Sequence, residues 1–115
     1  MQPENIKSPK GTITIINDQH LVINDVRSFL DVLFSTEHNT VVLKKENFDP
    51  FFFDLTSGLA GDLLQRVSNY RKRLIIIGDF NNITSKSLGD FIYESNRHEQ
   101  VIFTDEINKA IALLR

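Results

Sequence analysis

Cysteine is absent from the sequence. Disulfides, thiolate zinc sites, iron–sulfur clusters and cysteine nucleophiles are excluded with it, and a reducing compartment fits. Long apolar runs are also lacking, since none approaches the roughly 20 residues that a bilayer-spanning helix needs. The first eleven residues are polar and carry Pro3 and Pro9, which is not the pattern of a secretory leader. The expected location is therefore the cytoplasm, with no membrane partner. Nor is there an excess of positive charge: 13 basic against 15 acidic residues leave a net charge of −2. Nucleic-acid binding needs a basic face to neutralise phosphates, so no nucleic-acid partner is expected.

What remains is ordinary globular material. The 115 residues are 41% hydrophobic and 24% charged, enough for one buried core and too apolar for a disordered chain. Nine phenylalanines and no tryptophan are the mild oddity, and Phe is chiefly core material.

Periodicity gives the elements. Residues 1–11 read as a flexible tail, followed by one domain over residues 12–115. Thr12 to Ile16 and His20 to Ile23 read as a hairpin around Asn17-Asp18-Gln19. Asn24 or Asp25 caps a helix carrying Val26, Phe29, Leu30 and Leu33 to about Thr36. Thr40 to Leu43 is the next strand. Thr56 or Ser57 caps a helix whose apolar face holds Leu59, Ala60, Leu63, Leu64, Val67 and Tyr70. Leu74 to Ile77 is a continuous aliphatic run, typical of a strand covered on both faces. Thr84 or Ser85 caps a helix with Leu88, Phe91 and Ile92 inward. Val101 to Phe103 is the last strand, and Thr104 caps a final helix. The order ββαβαβαβα predicts an α/β fold: a mixed sheet of about five strands, a leading hairpin, the rest largely parallel, and four helices.

In open α/β sheets, sites gather at the carboxyl ends of parallel strands. That edge offers Lys44, Lys45 and Glu46, then Gly78, Asp79 and Phe80, then Thr104 and Asp105, with Asp54, Thr56, Ser57 and Gly58 facing it. The equipment for catalysis is thin. His20, His38 and His98 lie in a hairpin or loops, none at a strand end, and no catalytic residue is assigned. The histidines lack metal-ligand spacing, and Asp54 with Asp79 is a pair that chance supplies, so no metal and no cofactor is expected. Thr56-Ser57-Gly58-Leu59-Ala60-Gly61 has two glycines but no Walker lysine. Gly61 is expected to let its helix pack closely, and Gly78 to relieve a tight exit from a strand. Arg66, Arg71, Lys72 and Arg73 read as favourable charge at a helix C-terminus. Phe51-Phe52-Phe53 cannot all face one core if extended, so at least one is expected to be partly exposed.

The stretch Phe52 to Gln65 with Ser68-Asn69-Tyr70, then Leu74 to Phe80, Ser85 to Leu88 and Asp90 to Asn96, resembles a bacterial family, domain of unknown function number 4180. The resemblance covers nearly all of the chain from Thr12 on; it implies a bacterial source and brings no activity. More distantly, the element order and the small-residue start of the second helix resemble the STAS fold of sulfate-transporter tails and anti-anti-sigma factors. That family carries an Asp-Ser-Ser-Gly-Leu-type motif whose second Ser is phosphorylated by a partner kinase. Thr56-Ser57-Gly58-Leu59 matches it, placing Ser57 at the phosphoacceptor position, while the motif's Asp falls on Leu55 without a gap or on Asp54 with one.

The resemblance implies a non-enzymatic regulatory module that binds a protein partner, a kinase or regulator, and is switched at Ser57. Thr56 is the second phosphoacceptor candidate; Asp54, Gly58, Gly61, Asp79, Lys44 and Phe52 are candidates for the partner or ligand surface. The plain alternative is that Thr56 or Ser57 is an N-cap worth about 1 kcal/mol. Two other functions stay open. A small-ligand or enzymatic site at the strand-end edge predicts a pocket of roughly 300 Å³ or more there. A homodimeric structural protein would place the phenylalanine loop or an edge strand at its interface.

Overall fold

The computed structural model describes residues 3–114. Five strands form one sheet in the order β1-β2-β3-β4-β5: β1 (Pro3–Ser8), β2 (Gly11–Ile16), β3 (Thr40–Lys44), β4 (Arg73–Ile77) and β5 (Val101–Thr104). β1 pairs antiparallel with β2, and every later pair is parallel. Four helices complete the fold: α1 (Val26–Leu33), α2 (Leu59–Asn69), α3 (Lys86–His98) and α4 (Ile107–Leu113). The expected mixed α/β architecture and element order are therefore present.

Sequential strand order fixes the layers. Each parallel step from β2 to β5 moves the same way across the sheet, so right-handed crossovers place α1, α2 and α3 on one face. Side chains obey the period of two. Val41, Leu43, Leu74, Ile76, Val101 and Phe103 join Phe29, Leu33, Leu63, Val67 and Ile92 in one core. The intervening Ile13, Val42, Ile75 and Ile102 form a second core with Ala110 and Leu114 at α4, which crosses the opposite face. This is why Leu74 to Ile76 is uninterrupted aliphatic: all three residues are fully buried, on alternating faces.

The hairpin lies one strand earlier than the sequence suggests. Pro3–Ser8, read above as tail, is β1, while His20 to Ile23 is loop with a single bridge from Ile23 to Phe48. Met1 and Gln2, also assigned to the tail, lie outside the described residues. β1 is a polar, largely exposed edge strand with only Ile6 to mark it, so its composition resembles a tail. Its prolines are positional: Pro3 opens the strand and Pro9 leads the turn. That turn ends on Gly11 at φ +108°, and the Ser8 hydroxyl donates to the Gly11 carbonyl at 2.7 Å.

Helix ends also shift. Asp25 caps α1 by accepting from Ser28 N–H at 2.8 Å, and that bond holds its carboxyl below the usual value. α1 ends at Leu33, short of Thr36. Ser85 caps α3 through Leu88 N–H, as expected. Thr104 does not cap α4, because it completes β5; Glu106 occupies the N-cap with no side-chain capping bond, its carboxylate lying 3.8 Å from the Lys109 ammonium. Lys72 is a buried exception within the basic cluster. Its ammonium donates to the His38 carbonyl at 2.9 Å and lies 5.8 Å from the Phe34 ring, and burial lowers its pKa. It ties the loop after α1 to the start of β4 and does not act as a helix-end charge.

Candidate functional site

Between β3 and α2 the chain makes three short 3₁₀ turns, Lys45–Asn47, Pro50–Phe53 and Leu55–Ser57, all at the carboxyl edge of the sheet. Asp49 caps the second by accepting from Phe51 N–H, and Asp54 caps the third by accepting from Thr56 N–H at 3.1 Å. A 3₁₀ turn spreads three successive side chains around its axis. Accordingly Phe51 is 65% exposed, Phe52 is 1% exposed and Phe53 is half-buried. Phe52 was a surface candidate; it is core, packed 4.5 Å from the Phe48 ring, and Phe51 is the exposed member. Ring contacts continue from Phe29 and Phe48 through Phe52, Phe53 and Phe80 to Phe103 and Phe91, which accounts for much of the phenylalanine content.

Ser57, Thr56, Asp54 and Gly58 come together with Phe51 in one exposed cluster. The Ser57 hydroxyl donates to the Phe51 carbonyl at 2.7 Å and accepts from Leu59 N–H at 3.2 Å. The Thr56 hydroxyl donates to Asp54 at 2.6 Å. Neither residue is the N-cap of α2, which is Gly58 at φ +77°, a left-handed conformation that favours glycine, although Ser57 takes the N–H of the first helical residue, Leu59. The first bond within α2 is Asp62 N–H to the Gly58 carbonyl, so the N–H groups of Ala60 and Gly61 at the helix start have no carbonyl partner within the helix. Gly61 is exposed, and a methyl group there would meet nothing within 4 Å, so close helix packing is not its role.

A cleft of about 370 Å³ opens at the same edge, walled by Phe48, Pro50, Phe53, Phe80, Ile83 and Leu88, with Lys45 and Glu46 at its rim. Pro50 precedes Phe51, so the cleft and the Ser57 cluster adjoin. Lys45 is held deliberately. A Cβ on Gly78 would lie 2.6 Å from the Lys45 Cβ, so glycine leaves room for the lysine stem. The Lys45 ammonium donates to the Asp79 carbonyl at 2.9 Å and sits 5.8 and 5.3 Å from the centroids of Phe53 and Phe80. Asp79 ties its own loop by accepting from Asn81 N–H.

Lys44, the surface candidate from this segment, is exposed and follows Val42 on the α4 side of the sheet, away from the cleft. Its neighbour Lys45 is the residue that reaches the site. Sequence reasoning also missed Asn47. It is 2% exposed, accepts from Lys44 N–H at 3.0 Å and donates to the carbonyls of Asp18 and Leu21 at 2.9 and 3.0 Å. A polar residue in a Lys-Glu-Asn stretch gives no local sign of burial. Among the described residues, no cluster of three or more His, Asp or Glu side chains could hold a metal ion. Among the same residues, no helix is long and apolar enough to cross a membrane.

A family model described as "Domain of unknown function (DUF4180)" matches residues 9–114. No curated protein and no solved structure matches the chain.

Proposed function

The chain belongs to that family of domains of unknown function, and from this premise we propose that it is a non-enzymatic regulatory protein-binding module of STAS-like type in the cytoplasm of a bacterium, switched by phosphorylation at Ser57. The observation that carries this reading is the bond between the exposed Ser57 hydroxyl and the carbonyl of the exposed Phe51. It places a modifiable hydroxyl on the backbone of a residue with a large, exposed apolar side chain. The element order, shared with the STAS resemblance, supports the same reading.

The switch is simple physics. A phosphoryl group on Ser57 removes the O–H that holds the Phe51 carbonyl and adds about −1.5 to −2 charge. The free N–H groups and dipole at the start of α2 favour that charge, while Asp54 and Asp62 nearby repel it. The Phe51 carbonyl loses one of its two bonds, keeping that from Asp54 N–H at 3.2 Å, and the surface becomes strongly negative, so an apolar or acidic partner is released. Incubation of the purified protein with ATP and an extract of its native cells tests the switch by mass spectrometry. One phosphoryl group is expected on the peptide containing Ser57, lost in Ser57→Ala and kept in Thr56→Val. Modification elsewhere, or none, argues against it.

The cleft favours a second reading, a small-ligand site at the same edge, because its volume of about 370 Å³ lies within the range of known ligand pockets.

A further inference from the structure

We infer that the cleft between the turn after β3 and the loop after β4 binds a small monocarboxylic acid with an aryl or alkyl body, its carboxylate on the Lys45 ammonium. The inference rests on the ligand-site reading above and names the ligand class.

Three features carry it. The walls are apolar, with Phe48, Phe53 and Phe80 supplying ring faces and edges, which suits a hydrocarbon body. The volume of about 370 Å³ suits a small molecule. The charge comes from Lys45, whose ammonium lies over two of the lining rings. It spends one donor on the Asp79 carbonyl, and an ammonium has three. Two remain for an anion, held against apolar walls where a charge-assisted bond is stronger than in water.

Gly78 shows that this placement is specific. Any side chain there would collide with the Lys45 stem, so the glycine leaves room for the lysine to cross the strand end towards the rings. Exposed Glu46 shares the rim and disfavours a second negative charge, which selects a monoacid over a diacid.

The test is a titration of isotope-labelled protein followed by amide NMR shifts, with 3-phenylpropionate, its neutral amide 3-phenylpropanamide, and phenylsuccinate. Saturable shifts are expected at Lys45, Phe53, Phe80 and Ile83, with a dissociation constant of about 0.1–1 mM for so small a ligand. The acid should bind about tenfold more tightly than the amide, and phenylsuccinate no more tightly than the monoacid. Lys45→Met keeps the stem against Gly78 and should reduce the acid-to-amide ratio to about one. The ligand comparison on the unmodified protein decides the matter even where a variant misfolds. Equal affinity for acid and amide, or tighter binding of phenylsuccinate, overturns the carboxylate assignment while leaving an apolar ligand site. No saturable shift with any of the three overturns both.

Discussion

Asn47→Ala is expected to lower the unfolding free energy by about 3–4 kcal/mol, a large effect for a polar residue in a turn. Its side chain makes three bonds: with Lys44 N–H and with the carbonyls of Asp18 and Leu21. Removing it strands the Lys44 N–H and the Leu21 carbonyl in partly buried positions, while the Asp18 carbonyl keeps its bond from Leu21 N–H at 3.2 Å; each unsatisfied group costs about 1–3 kcal/mol. The loop from Asn17 to Asn24 is otherwise held by Ile23, which is fully buried in the core with Leu21 packed against it, and which exchanges backbone bonds with Asn47 and Asp49 at 2.6 and 2.9 Å. Denaturant unfolding measures the loss, with the slope unchanged if the native fold is retained. Asn47→Asp is a sharper control. It keeps the acceptor for Lys44 but faces two carbonyls with a carboxylate, so it should be at least as destabilising. A change below about 1 kcal/mol in both would mean that the loop does not depend on this side chain.

Phe52→Ala and Phe51→Ala should behave oppositely although the residues are adjacent. Phe52 is 1% exposed, with its ring centroid 4.5 Å from that of Phe48 and 4.9 Å from that of Phe53. Truncation leaves a cavity beneath the helices and should cost about 3–5 kcal/mol. Phe51, 65% exposed, should change stability by no more than about 0.5 kcal/mol. The contrast follows from the turn geometry of Pro50–Phe53 and disappears if the segment is extended with another phase. Phe51→Ala is therefore a clean probe of surface function.

The buried strands were legible because both faces of the sheet are covered, so Val41 to Leu43, Leu74 to Ile77 and Val101 to Phe103 had to be apolar throughout. β1 was not, because an edge strand needs few apolar residues, and Pro3 and Pro9 read as tail when they are strand opening and turn. At the site, the composition of the edge was readable, but the choice between Lys44 and Lys45 was not. It turns on which face of β3 the chain leaves from, and on the missing Cβ of Gly78, 33 positions further along. Asn47 was invisible for a similar reason: its carbonyl partners lie 29 and 26 residues away. Ser57 was legible as a hydroxyl at a helix start, yet its bond to Phe51 depends on the intervening turns.

The central claim is a partner surface formed by Phe51 and Ser57. The most direct measurement is capture from native extract on immobilised wild type, Phe51→Ala, Ser57→Glu and, as a remote exposed aromatic, Tyr93→Ala. The account predicts one protein retained by wild type and Tyr93→Ala and lost from both Phe51→Ala and Ser57→Glu. A protein retained equally by all four, or lost only from Tyr93→Ala, would contradict it.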